Sequence, residues 1–226
     1  MNFLKIITFV CLSFSVFSQI SFQIKGKVNG IESQTVLLIT SENDTVASAN
    51  VTGTAFRLKG KIGEPQLCYL QDSKRNFRLP VFIEQGSTSV SIELNPETNK
   101  IMKAIIKGAP EHDLYQKLLS SEKGHLTNDE VRQMQNWLKL NDTVSINHLK
   151  RVKRQEMDEA YENIRTIFAS NPCSYACGFY IGSIRNIGKE RLTKMYDLYN
   201  LLSPEIQRSH FGQKFYNQYQ KESLKQ

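Results

Sequence analysis

Between Ile20 and Gly108 apolar and polar residues alternate in short runs, and each run reads as a strand with one buried face. The clearest is Phe56-Arg57-Leu58-Lys59-Gly60-Lys61-Ile62, where Phe56, Leu58 and Ile62 point one way and Arg57, Lys59 and Lys61 the other. Phe22-Gln23-Ile24-Lys25-Gly26-Lys27-Val28 is a near-copy, and Ile106-Lys107-Gly108 is a fainter third version. Gly26 and Gly60 stand inside their strands, where a glycine marks a bulge or a close backbone approach. The copies are unequally spaced, so they read as recurrent devices of one β-unit and not as solenoid repeats.

The remaining runs complete that unit. Gln34–Thr40 is continuous enough to be buried on both faces. Asp44–Val51 alternates weakly, and Gly53 is expected to turn it into the Phe56 strand as a hairpin. Gln66–Gln71 places Leu67 and Tyr69 on one face and Cys68 and Leu70 on the other. Arg78–Glu84 aligns Leu79, Val81 and Ile83; Gln85-Gly86-Ser87 turns; Ser89–Leu94 alternates through Val90, Ile92 and Leu94; and Ile101–Lys107 is last. About eight strands at roughly ten-residue spacing predict an antiparallel β-sandwich.

At Ala109-Pro110 the period lengthens to that of a helix. Pro110 suits the first helical position, Leu114, Leu118 and Leu119 form a stripe, and Gly124 stops the helix. Thr127-Asn128-Asp129-Glu130 is a capping box that opens a helix with Val131, Met134 and Leu138 on its buried face and Trp137 beside them. A long helix follows Asn141-Asp142 to about Ser170, its stripe running through Ile146, Leu149, Met157, Tyr161, Ile164 and Phe168. Asn171-Pro172 and Ser203-Pro204 each place a capping residue before proline and predict two further helix starts, with Lys189–Leu202 amphipathic between them. The chain is thus expected to be α+β: a leader over residues 1–18, a β-sandwich over 19–108, and an all-α part of about six helices over 109–226 that packs directly on the sandwich.

Composition changes this picture only at the ends of the argument. A hydrophobic fraction of 40% with twelve Phe and nine Tyr is ordinary for a globular protein, and the net charge of +7 reads as a solvated surface. Residues 1–18 carry Lys5, an apolar run from Ile6 to Phe17, and small residues at Val16 and Ser18. That is the pattern of a signal peptide cleaved before Gln19. The run is shorter than the roughly 20 residues of a spanning helix, so the mature chain is expected outside the cytoplasm and not across the membrane. Cys68, Cys173 and Cys177 remain, an odd set that argues against a disulfide framework.

Several of these motifs together resemble one known module. They are Ile24-Lys-Gly-Lys-Val, the Asp44-Thr45 turn, Val51-x-Gly53-x-x-Phe56-x-Leu58-x-Gly60, Phe82-Ile83-Glu84-Gln85-Gly86 and Ile106-Lys107-Gly108 before a helix. The module is the domain of unknown function that precedes the thioredoxin domain in many envelope thiol-disulfide interchange proteins of Gram-negative bacteria. The likeness is close over residues 20 to 120 and looser to 220, where Asn171-Pro172-Cys173-Ser174 matches the start of the family's helical segment. The Trp-Cys-x-x-Cys turn of the redox domain has no counterpart here, because Trp137 has no cysteine near it. The resemblance therefore implies a non-catalytic envelope module, with Phe22, Gly26, Gly53, Phe56, Gly60 and Gly108 as its structural strand residues.

Candidate chemistry is sparse. Cys173 and Cys177 are spaced to share one face of a helix begun at Pro172, where the helix dipole lowers a thiol pKa; a redox pair is the alternative to a packed core. Docking of a separate thioredoxin-like enzyme is a further alternative. Gly178 and Gly182 at G-x-x-x-G spacing predict close approach of a neighbouring helix or strand. Lys150, Arg151, Lys153 and Arg154 form the densest basic cluster, with Arg154 placed to pair with Asp158; its readings are a solvated face or contact with anionic glycan or lipid headgroups. No phosphate-cradling loop, nucleophile elbow, dinucleotide fingerprint or H-E-x-x-H pattern occurs, so no cofactor, metal site or nucleic-acid partner is expected. The expected partner is a protein or small ligand of the cell envelope.

Overall fold

The computed structural model describes residues 19–30, 35–184 and 188–224; the expected leader lies outside the described residues. The strands are β1 (Ile20–Asn29), β2 (Thr35–Thr40), β3 (Thr45–Asn50), β4 (Ala55–Ile62), β5 (Gln66–Asp72), β6 (Arg78–Ile83), β7 (Gly86–Leu94) and β8 (Ile101–Lys107). β1 and β4, the two strong copies of the Lys-Gly motif, pair antiparallel with each other. Their register sets Phe22 opposite Gly60, Ile24 opposite Leu58 and Gly26 opposite Phe56. Each phenylalanine therefore lies over the glycine of the other copy. A Cβ at Gly60 would stand 2.7 Å from the Phe22 ring, and one at Gly26 would collide with the Phe56 ring. Neither the bulge nor the close backbone approach expected at these glycines is what uses the space: the β1–β4 ladder runs without a bulge, and an aromatic side chain lies over each glycine. Lys25, Lys27, Arg57, Lys59 and Lys61 line the exposed side.

Two four-stranded sheets face each other, ordered β4-β1-β7-β8 and β3-β2-β5-β6. β1 and β7 run parallel, the one departure from the expected antiparallel pairing. The expected hairpin between the Asp44 run and the Phe56 strand does not form. β3 pairs with β2 in one sheet and β4 with β1 in the other, so the chain changes sheet at Val51–Thr54. Gly53 supplies the turn with φ +62°, and Thr52 bridges Ala55. Gly108 likewise adopts φ +75° where the strands give way to helices. The sandwich core is apolar, built around Ile24, Leu38, Leu58, Leu70 and Ile92, with Phe22, Phe56 and Phe77 among them.

The helices are α1 (Pro110–Ser121), α2 (Asn128–Lys139), α3 (Thr143–Ser170), α4 (Tyr175–Ser183), α5 (Lys189–Asn200), α6 (Pro204–Arg208) and α7 (His210–Ser223). They cover the outer face of β5 and β6, which makes a third layer. Cys68 and Leu70 point into the sandwich, whereas Leu67 and Phe82 join Ala176, Phe179 and Phe211 in a second core. Phe82, Tyr115, Phe179 and Phe211 meet there with ring centroids 4.6 to 6.2 Å apart. The short Gln66–Gln71 run thus has apolar residues on both faces because both faces are covered.

Three glutamates brace the helices, Glu64 and Glu84 from the ends of strands and Glu111 from within the helical layer. Each accepts from backbone N–H groups in the first turn of a helix from another element, where four donors lack partners. Glu84 accepts from Glu111 N at 3.3 Å in α1. Glu111 accepts from Ala176 N at 2.7 Å and from the Ser174 hydroxyl at 2.6 Å at the start of α4. Glu64 accepts from His210 N at 3.0 Å at the start of α7. Burial outweighs these hydrogen bonds at Glu84 and Glu64 and holds both carboxyls above the ordinary glutamate range. The buried His112 ring accepts from Phe82 N at 3.4 Å, which satisfies a donor on β6, an edge strand.

Not every expected stripe is covered. Leu118 is buried but Leu119 is 40% exposed. α2 buries none of its residues fully, and Leu138, expected inside, is 58% exposed. The capping box is present, with Glu130 N donating to Thr127 Oγ1 and Thr127 N to Glu130 Oε2. α2 is therefore locally well specified yet packs mainly on α3. The helix expected at Pro172 begins three residues later, because Ser174 caps it by accepting from Cys177 N.

Candidate functional site

That later start separates the two cysteines. Cys173 lies in the turn before α4 and is exposed, while Cys177 lies inside α4 and is buried. They do not share a helix face, which corrects the expectation drawn from their spacing. Burial pushes the Cys177 thiol up to about 12, and that of Cys68 likewise. A thiol held protonated in this way is a poor nucleophile, the opposite of what thiol exchange needs. Gly178 and Gly182 behave as their spacing predicts. A Cβ at Gly178 would meet Ile206, and one at Gly182 would stand 2.5 Å from the Phe211 carbonyl oxygen, so α6 and α7 approach α4 closely. Phe22, Gly53, Gly60 and Gly108 are dispersed through the sandwich, while Gly26 and Phe56 lie together in the lining of a shallow, open concavity bordered by Lys25, Lys27 and Arg57.

The basic cluster borders a deep concavity of the helical layer. A cleft of about 870 Å³ opens between the segment after α1, the middle of α3, and α5. Its floor is apolar: Leu126, Met134, Leu149, Met157, Ala160, Tyr161, Ile164 and Met195. Gly124 shapes one wall. Its φ of +82° turns the chain back on α3, where a Cβ would strike the Met157 side chain. Leu126 and Met157 remain 39% and 42% exposed, so the floor is open to an incoming group.

The rim is cationic. Lys123, Lys150, Arg151 and Arg154 border the cleft, and none of them meets a carboxylate among the described residues; Arg151 contacts the His148 ring at 3.3 Å. The carboxylates on the rim are engaged. Asp158 accepts from Lys194 Nζ at 2.6 Å, so the expected Arg154–Asp158 pair does not form. α5 brings Lys194 across to α3, and this contact takes the place of the helical neighbour. Lys194, with its ammonium 5.4 Å from the Tyr161 ring centroid, is raised in pKa chiefly by the Asp158 bond. At the far end Glu122 accepts from the Tyr180 hydroxyl at 2.7 Å, and Arg191 lies 4.0 Å from the same oxygen. Burial, then the Glu122 bond, pushes the Tyr180 hydroxyl well above its ordinary range. Lys153 turns to Glu130 at 2.9 Å and Glu156 at 3.1 Å, which straps α2 to α3.

The cleft thus offers an apolar trough beside cations that lack counter-charges. Among the described residues no group of three His, Cys, Asp or Glu is placed to hold a metal ion, and no helix is long and apolar enough to cross a membrane. The sequence pointed to the basic cluster but not to Leu126, Glu122 or Lys194, and it placed Tyr180 only on a packed face beside the cysteines. The available signal was the length of the α3 stripe, whose Leu149 and Met157 fall where few neighbours can cover them.

In a comparison with known families, the model of a domain of unknown function, DUF4369, matches residues 22–115. The match spans the sandwich from β1 and the first half of α1, ending at Tyr115 of the aromatic core between the layers. The cleft lies outside it. No curated protein matches the chain.

Proposed function

We propose that this chain is a non-catalytic binding module of the cell envelope, and that its ligand is a single-chain amphiphile with an anionic head. The observation that carries the reading is the split chemistry of the cleft. Its volume lies within the range of small-molecule sites, its floor is apolar, and cations without counter-charges stand along one side. An alkyl tail over Met157, Tyr161 and Ile164 leaves water, while a phosphate or carboxylate head reaches Lys150 and Arg154. The leader pattern of residues 1–18 supports an extracytoplasmic location after cleavage before Gln19. The strand motifs support kinship with the non-catalytic half of envelope thiol-disulfide interchange proteins, and the protonated Cys177 supports a role without thiol chemistry.

Titration of the processed chain with dodecyl phosphate below its micelle concentration tests the reading. Saturable binding at one site, weakened by salt, is expected. Arg154→Glu should reduce affinity by about tenfold, the effect of reversing one partly screened contact with an anion. Leu126→Asp should reduce it through the floor, and uncharged dodecyl maltoside should bind more weakly. Absence of saturable binding, or equal affinity for the two amphiphiles, overturns the proposal.

A further inference from the structure

The other unabsorbed feature is the turn between α2 and α3. Leu138, Leu140 and Val144 are 58%, 76% and 78% exposed and stand within seven residues of one another. Trp137, the only tryptophan of the chain, is half-buried beside them. α2 leans chiefly on α3 and buries no residue fully, and Ile146 is the only buried residue of α3 before Ala160. The hairpin therefore projects from the helical layer with its apolar residues at the far end.

Charge is arranged behind that end. Lys139 sits between Leu138 and Leu140, and Lys150, Arg151 and Arg154 follow on α3. Val144 and Arg151 are seven residues apart and share a side of the helix, about 10 Å apart at 1.5 Å per residue. The acid of the tip, Asp142, is occupied, accepting from Ser145 N at 3.1 Å and the Ser145 hydroxyl at 2.7 Å. The amide N–H groups of the turn are also satisfied internally. Leu140 N donates to Asn136 O, Asn141 N to Leu138 O and Asp142 N to Trp137 O. A tip with satisfied amides enters a water-poor layer at low cost, whereas one with bare amides does not.

We infer that the α2–α3 tip docks on an anionic lipid surface, with Leu138, Leu140 and Val144 in the outer acyl region, Trp137 at the interface, and Lys139 and Arg151 among the headgroups. The vertical order matches a bilayer, apolar groups leading and cations about 10 Å behind, and long basic side chains reach back to the headgroups. Charge complementarity favours this occupant over a second copy of the chain, which would bring the same cations face to face. The inference goes beyond the cleft reading: it shares Arg151 with the cleft's cationic rim, but its apolar contacts, Leu138, Leu140 and Val144, and Lys139 lie outside the cleft.

Trp137 reports directly. The processed chain is mixed with vesicles of phosphatidylcholine and phosphatidylglycerol at a 3:1 ratio, or of phosphatidylcholine alone. A blue-shifted emission and salt-sensitive co-sedimentation are expected with the anionic vesicles only. Leu138→Ser/Leu140→Ser/Val144→Ser should lower partitioning by at least about tenfold, and Lys139→Glu by about fivefold for each unit of charge changed. All four side chains are exposed, so the variants should melt like the parent and still bind dodecyl phosphate. Leu126→Asp should lose dodecyl phosphate and keep vesicle binding, which separates failure of the cleft reading from failure of this one. No blue shift on anionic vesicles, or equal partitioning by the triple serine variant, overturns the inference. So does a concentration-dependent dimer that the triple variant abolishes, which would make the tip a contact between copies.

Discussion

A single glycine shows how much depends on a cross-strand partner. Gly26 and Gly60 are not turn residues; each lies flat beneath the phenylalanine of the sister motif. An aromatic ring laid over a strand glycine recovers the apolar contact that the glycine lacks and pins the register. We expect Gly26→Ala to cost about 2 kcal/mol, because the Phe56 ring must leave its position. Much of that cost should vanish in a Phe56→Leu background. Urea denaturation of the two single variants and the double variant checks this, with a coupling of about 1 kcal/mol expected and strict additivity counting against it. The motif was legible in the sequence as a repeat, and each glycine as either a bulge or a close backbone approach. What the ring does could not be read there, because it depends on which strand lies alongside.

At the scale of elements, three carboxylates from other elements cap α1, α4 and α7. The capping boxes and capping residues of α2, α3 and α6 were readable because their partners lie within three residues. The glutamate caps were not, because their partners are 27, 65 and 146 residues away. Glu84 also carries a pH signature. Its carboxyl is held above the ordinary value of 4.5, mainly by burial, with Glu111 and Asp113 adding to it. The folded state therefore binds this proton more tightly than the unfolded chain. The stabilisation from Glu84 is complete below pH 4.5 and is lost as pH rises through the raised value. Glu84→Gln keeps an acceptor for Glu111 N and removes the titration. Relative to the variant, the parent should lose stability as pH climbs from 4.5 towards neutrality, as thermal melts across that range would show. A constant difference between the two would show that Glu84 is not the group responsible.

At the scale of the whole molecule, the sandwich and the helices share an apolar core around Phe82, Phe179 and Phe211. The outer face of β5 and β6 cannot be left bare without exposing Leu67 and Phe82, both buried. Phe179→Ala should cost about 3–5 kcal/mol by opening a cavity among the four rings. Because the layers share that core, unfolding by urea should remain a single transition when followed by circular dichroism and by Trp137 emission. Two separated transitions would mean that the layers fold independently. The cleft and the α2–α3 tip belong to this scale as well. Both arise where the helical layer runs past its last neighbours and leaves apolar side chains without cover.

The sequence by itself determined the strands, most of the helices and the junction at Gly108, because hydrophobic period, proline, glycine and capping residues act over a few residues. It also placed the basic cluster and the glycines that bring α6 and α7 onto α4. Only the tertiary structure decided which strands pair, that β3 and β4 part into different sheets, and that Cys173 and Cys177 face different surroundings. It alone decided which apolar residues stay uncovered. Periodicity tells which face of an element is apolar, and burial depends on what the rest of the chain brings against that face. Met157 and Leu138 share the pattern of core residues, yet one lines an open cleft and the other caps a projecting hairpin, because the described residues packed against them cover each only in part.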